Sequence, residues 1–146
     1  MIQCGFKLNE VADLQGGELI FPPGTKSLLS KYCTKEVWAR NKLKIDKVGF
    51  SFKQAVLSGC RNTDSSIGVY AGSHDSYHAF KEIFDPIIEA YHGHKPEAQH
   101  KSDMDSSKLN CPPLVHDSNQ GMIISTRIRV GRNLADFPLG PGLTRE

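Results

Sequence analysis

Three arginines, Arg127, Arg129 and Arg132, fall within the stretch ISTRIRVGRN. A guanidinium presents a planar fork of donors that matches phosphate oxygens, and it keeps its charge in any protein site. Residues 121–130, GMIISTRIRV, are rich in isoleucine and alternate in character. That alternation predicts a strand with Ser125, Arg127 and Arg129 on one face and Thr126, Ile128 and Val130 on the other. Two arginines on one strand face stand about 6–7 Å apart at the backbone. Such paired, fixed positive charge suits the adjacent phosphates of a nucleotide. The same pattern also fits a half-exposed edge strand protected by charge, and the residues by themselves leave both readings open. Arg132 is out of step with the alternation and receives no role.

The other chemistry-bearing residues say less. His74 and His78 stand four apart on a predicted helix, a spacing that suits a metal pair, but no third ligand is near them in sequence and no metal site is assigned. His92 and His94 follow a helix end, where an imidazolium favours the dipole. Cys4, Cys33, Cys60 and Cys111 lie far apart with no C-x-x-C pair. They read as free thiols, not as disulfides or a zinc site.

The elements that must position these groups are mostly helical. KSLLSKYC places Leu28, Leu29 and Tyr32 on one face, and TKEVWARNKL begins with Thr34 as N-cap, with Val37, Trp38 and Leu43 as anchors. Trp38 reads as a core or domain-interface residue. SFKQAVLSG carries a capping box, Ser51 with Gln54 three residues on, and sends Phe52, Ala55 and Val56 to the core. Residues 62–73, NTDSSIGVYAGS, read as a loop. In SHDSYHAFKEIF, Ser73 caps a helix that aligns Tyr77, Phe80 and Phe84. DPIIEAYHG predicts a further helix with Asp85 as N-cap, Pro86 at its first position and Gly93 as its stop. Residues 1–26 are irregular, with FPPG as strong punctuation. Residues 93–120 turn polar and aperiodic.

Composition bounds the possibilities. The chain has 146 residues and a net charge of +2, enough for one domain with a core and too balanced for a general polyanion binder. No nucleic-acid partner is expected. No window approaches eighteen apolar residues, so no membrane span is expected, and MIQCGFKLNEVADLQGG carries charges where a signal peptide needs an apolar run. A cytoplasmic location is expected.

Several separate stretches, in one order, resemble the ATP:guanidino phosphotransferases, the phosphagen kinases, with arginine kinase the nearest kind. SLLSKYCTKEVW resembles the family's N-terminal helices. SSIGVYAGSHDSY resembles its guanidino-specificity loop and the helix after it. FDPIIEAYHG resembles its FDPII segment, ISTRIRVGRN the strand that opens its catalytic domain, and GPGLTRE the stretch beyond. The resemblance covers roughly residues 27–146. It implies a mainly α fold: a small all-α N-terminal domain at residues 27–93, after a variable extension at 1–26. A linker at 94–120 and the truncated start of the α+β catalytic domain at 121–146 would follow.

The resemblance further implies a kinase, a transferase that moves the γ-phosphoryl of ATP to a guanidino nitrogen. Ser125, Thr126, Arg127, Ile128 and Arg129 would bind ATP, with magnesium held through the nucleotide and not by residues here. Ser66, Ile67, Gly68, Val69 and Tyr70 would bind the substrate. The loop is short, and Tyr70 stands where arginine kinases have tyrosine, which points to L-arginine, with taurocyamine or lombricine as other guanidines. Ser66 stands where those kinases have glycine, and a positive φ there would strain serine. Asp64 resembles an aspartate that pairs across the domain interface. The catalytic carboxylates, reactive cysteine and further arginines would lie in a missing C-terminal catalytic domain. No catalytic residue is assigned here, and this fragment alone is expected to be inactive. The alternative is a stand-alone helical interaction or regulatory module without catalysis.

Overall fold

The computed structural model describes residues 19, 21–110, 125 and 127–144. The described residues fall into two units, one within Met1–Glu97 and Asn133–Glu146, the other within Ala98–Arg132.

The helices of the first unit start where local side chains can satisfy orphan backbone donors. Ser27 accepts from the Ser30 N–H at 3.1 Å and opens α1, Leu28–Tyr32. Thr34 accepts from the Val37 N–H and opens α2, Lys35–Asn41. Ser51 and Gln54 form the complete capping box of α3, Phe52–Arg61. Trp38 of α2 and Phe52, Ala55 and Val56 of α3 are buried, as their spacing predicts. Leu43 is not an anchor: it is 82% exposed, because α2 stops at Asn41 and Leu43 falls in the turn beyond it.

The Tyr77–Phe84 region departs from the predicted helices. A short α4, Ser76–Ala79, breaks at Phe80, and α5 then runs without interruption through Lys81–His92 with Pro86 inside it. Asp85 is therefore a helix-interior residue, not an N-cap. Ser73 is not the N-cap either; Asp75 takes that position, while the Ser73 hydroxyl accepts from the N–H groups of Asp75 and Ser76. Interior proline costs about 3 kcal/mol. Ile83, Phe84 and Ile87 are all buried on α5, and each burial is worth about 1.5–3 kcal/mol. That sum exceeds the proline penalty, so packing carries the helix through Pro86. Gly93, at φ +72°, ends α5 in the left-handed conformation that glycine supplies.

Phe52 is the centre of the core, with its ring 5.9 Å from Trp38 and in edge contact with Phe80 at 5.4 Å. Leu29, Ile83 and Val56 are fully buried in the same cluster. Glu82 of α5 accepts from Arg40 Nε at 2.9 Å and Asn41 Nδ2 at 3.1 Å of α2. The Arg40 bond leads the causes that hold its carboxyl below the usual range.

Residues 133–144 belong with this helical unit, although the sequence groups them with the arginine segment. The Leu139 N–H donates to the Gly72 carbonyl at 2.9 Å, and Leu139 packs on the core.

In the second unit, Ser106–Lys108 forms a 3-10 turn, and Lys108 pairs with Asp103 at 2.7 Å. The expected strand is absent from its described part: Ser125 and residues 127–130 are irregular and exposed. A strand takes its ladder from a neighbour, and the described residues supply no neighbouring strand. Residues 121–124 and Thr126 lie outside the described residues.

Candidate functional site

The loop at residues 66–70 is fastened to two helices by its own backbone. The carbonyls of Ser66 and Ile67 each accept, at 2.9 Å, from the N–H groups of Leu28 and Leu29. These are first-turn donors of α1 that no residue of that helix can satisfy. On the other side, the Gly59 N–H donates to the Gly68 carbonyl at 3.0 Å, and the Tyr70 N–H donates to the Ala55 carbonyl at 2.9 Å. Gly59 and Ala55 stand four apart on α3, the spacing at which a helix pairs N–H with carbonyl. Each takes a partner from the loop, which thus lies stitched along the α3 ladder.

Two glycines make that approach possible. A Cβ on Gly59 would overlap the Gly68 carbonyl oxygen and stand 2.6 Å from the Gly68 Cα. Gly68 itself is at φ +84°, with the Leu29 and Ser27 Cβ atoms 3.1 Å from the space a side chain would need. Ser66 carries no such strain, since no non-glycine residue among those described has a positive φ. The loop's need for a left-handed residue is met at Gly68, two positions on.

With the carbonyls of residues 66–68 engaged by the scaffold, the N–H groups of Ile67, Gly68 and Val69 have no hydrogen-bond partner among the described residues. Val69 and Ala71 are buried and anchor the loop, while Tyr70 between them is half-exposed. Gly68 and Val69 are buried, Ile67 is partly buried and Tyr70 is exposed; unpaired backbone donors beside a phenol suit a carboxylate.

Asp46, which the sequence reading did not single out, braces the stretch that follows this loop. It is buried, and its Oδ1 accepts from the N–H groups of Phe50 at 2.8 Å and Val48 at 3.1 Å. Its Oδ2 accepts from the hydroxyls of Ser73 and Ser76, both at 2.6 Å. The Ser76 Oγ in turn accepts from the N–H groups of Gly72 and Ser73. Lys47 pairs with Asp75 at 3.0 Å beside this network, and its bond holds the Asp75 carboxyl below the usual range. The DKVG turn was visible in the sequence as an Asx signal; its serine partners, twenty-seven and thirty residues away, were not.

Arg127 and Arg129 are exposed and form no ion pair among the described residues, so their guanidinium groups are open to an anion. Arg132 donates to the Gly131 carbonyl. Asp64 is exposed. No group of three metal-ligating side chains occurs among the described residues, His74 and His78 included. Cys33 and Cys60 are free and buried, and burial pushes their thiols up to about 12 and about 11. Cys4 and Cys111 lie outside the described residues. Among the described residues no helix is long and apolar enough to cross a membrane.

Residues 23–89 match the family model of the ATP:guanido phosphotransferase N-terminal domain. That span takes in α1 to α4, most of α5 and the whole fastened loop. Over that span the chain carries the N-terminal domain of the ATP:guanido phosphotransferase family. What it carries is an N-terminal portion of such a phosphagen kinase. Arginine kinase from Anthopleura japonica is 44% identical over 129 residues, covering 88% of this chain and 18% of that protein. Arginine kinase Lit v 2.0101 from Penaeus vannamei is 38% identical, covering 98% of this chain and 37% of that protein. Arginine kinase from Stichopus japonicus is 37% identical, covering 84% and 32%. The chain thus spans between 18% and 37% of the lengths of these relatives. Among solved structures, a lombricine kinase superposes with a TM-score of 0.54 at 28% identity, over 59% of this chain and 24% of that one. The substrate-free duplicated taurocyamine kinase from Schistosoma mansoni superposes with a TM-score of 0.71 over 93% of this chain and 19% of that one. At 24% identity the latter likeness concerns the fold alone.

Proposed function

We propose that this chain supplies the guanidino-substrate side of a kinase that transfers the γ-phosphoryl of Mg-ATP to L-arginine. The observation that carries the reading is the fastened loop: Ser66, Ile67 and Gly68 spend their carbonyls on α1 and α3, and the N–H groups of Ile67, Gly68 and Val69 remain unspent. In this reading those donors and the Tyr70 hydroxyl hold the carboxylate end of arginine. Fixed backbone donors of this kind cost no reorganisation when the substrate arrives.

Ser125, Thr126, Arg127, Ile128 and Arg129 form the phosphate-binding segment in the same reading. Arg127 and Arg129 neutralise phosphate charge and orient the nucleotide, the kind of work on which phosphoryl transfer depends. Magnesium travels with the nucleotide, and no residue of this chain is assigned to it. The groups that hold the reacting guanidine belong to a further catalytic domain. The chain alone spans a minor share of its relatives, so it binds but does not turn over.

The test is a titration of the isotopically labelled 146-residue chain with L-arginine, taurocyamine and lombricine. L-Arginine should shift the amides of Ile67, Gly68, Val69 and Tyr70 more than either other guanidine does. If a different guanidine shifts them most, the substrate assignment changes; if none does, the loop is not a substrate site. Mg-ATP should move the signals of Arg127 and Arg129, and a coupled ATP/arginine assay of the chain should read zero. Robust turnover would overturn the division of labour.

A further inference from the structure

The segment that follows the arginines meets the helical unit at the Gly72 peptide, just beyond the downstream end of the 66–70 loop. Gly72 is gripped from every side. Its carbonyl accepts from the Leu139 N–H at 2.9 Å. Its N–H donates to the Ser76 Oγ at 3.1 Å, and the buried Asp46 carboxylate holds that hydroxyl. Its Cα faces the Phe50 ring so closely that a Cβ there would overlap the ring. Phe50 is itself tied to Asp46 through its N–H. The Gly140–Gly142 turn completes the grip, since a Cβ on Gly142 would overlap the Gly72 carbonyl oxygen and stand 2.8 Å from its carbon. Leu139 adds its side chain to the core cluster.

The loop at residues 66–70 is therefore held at both ends by different means. Its upstream carbonyls rest on α1. Its downstream end, Tyr70, lies two residues from Gly72, with buried Ala71 between. We propose that residues 139–142 are a latch, with Leu139 and Gly142 acting as positioning residues that hold the 66–70 loop in its binding geometry through Gly72. The contact adds one partly buried leucine to the core, but no described helix takes a cap hydrogen bond from it. Its chemistry is a single backbone hydrogen bond, a glycine-to-glycine contact and one leucine at the margin of the core, so it can open while the fully buried residues keep their own contacts. The functional part of the proposal rests on reading residues 66–70 as the substrate loop; the mechanical part does not.

The experiment uses the 146-residue chain and three variants. Gly142→Ala puts a methyl group into the Gly72 carbonyl. Leu139→Pro deletes the donor while keeping a backbone that proline accepts, since Leu139 sits at φ −73°. Leu139→Ile keeps the donor and an apolar side chain, and serves as the rescue. Amide hydrogen exchange is read at Tyr70 and Gly59, the two N–H groups that fasten the loop to α3, and the L-arginine Kd is read by titration. In Gly142→Ala and Leu139→Pro, exchange at Tyr70 and Gly59 should quicken about tenfold, the worth of one lost hydrogen bond. The arginine Kd should rise by a similar factor in both, the urea midpoint should fall modestly in Leu139→Pro, which also loses a core contact, and Leu139→Ile should behave as the parent. The latch is refuted if Tyr70 and Gly59 exchange at parent rates in either folded variant. Should Gly142→Ala fail to fold, Leu139→Pro decides alone. Absence of any arginine response in the parent chain would remove the substrate reading, while the exchange comparison still decides the latch.

Discussion

Gly59→Ala separates the local rule from the tertiary contact by sign. Gly59 lies inside α3, and in a helix interior alanine is better than glycine by about 1 kcal/mol. Propensity alone therefore predicts a more stable protein. The structure predicts the opposite. The new Cβ would stand 2.6 Å from the Gly68 Cα and 2.8 Å from its carbonyl carbon. Relief to ordinary contact needs a displacement of about 0.8 Å, and both neighbours are backbone, so neither can swing aside. Overpacking of this kind costs about 1–3 kcal/mol. Less the propensity gain, the net loss is about 0–2 kcal/mol, accompanied by displacement of the loop from α3. Urea denaturation followed by circular dichroism measures the first part, with the midpoint falling at constant slope. Amide exchange measures the second, with Tyr70 losing protection as its bond to the Ala55 carbonyl lengthens. A variant more stable by about 1 kcal/mol, with Tyr70 still protected, would refute the stitched-loop geometry.

Three further outcomes follow from the same contacts. Asp46→Ala strands the buried hydroxyls of Ser73 and Ser76 and the Phe50 N–H, and should cost about 2–4 kcal/mol in thermal or urea unfolding; a loss under 1 kcal/mol would show that the network is dispensable. Cys33 and Cys60 have folded-state values raised from 9.0 to about 12 and about 11, so their neutral forms favour the folded state. Stability should be insensitive to these thiols below pH 9 and fall as pH rises from there toward their folded-state values; peptide mapping after iodoacetamide at pH 8 should find neither residue labelled until the chain is unfolded. Ser66→Gly should leave the urea midpoint unchanged or lower it slightly, because Ser66 has no positive φ to relieve; a gain near 1 kcal/mol would locate strain there after all.

Much of the helical unit was readable because its signals act within a turn of chain. Thr34, the Ser51–Gln54 pair and Gly93 each satisfy or release backbone groups three or four residues away, and all three stand where the pattern places them. Pro86 and Leu43 were not readable in the same way. Pro86 marks the first turn of a new helix by local chemistry, yet α5 runs through it because Ile83, Phe84 and Ile87 have a core to enter. Leu43 is apolar, yet it stays in solvent because the helix ends before it. The candidate loop divides similarly. Its residues were marked by resemblance, but nothing in SSIGVY announces that its carbonyls face α1 or that Gly59 makes room for it.

The sequence by itself determined the Thr34 and Ser51 starts of α2 and α3, the burial of Trp38, Phe52, Ala55 and Val56, and the family to which the chain is similar. Caps and periodicity are properties of neighbouring residues, and hydrogen bonds of short reach enforce them. Tertiary structure alone decided that Ala55 and Gly59 share their ladder with residues 68 and 70. It decided that Asp46 braces two distant serines, and that Leu139 closes on Gly72. Those choices belong to pairs far apart in the chain, and each depends on how closely two backbones can approach, which no local pattern encodes.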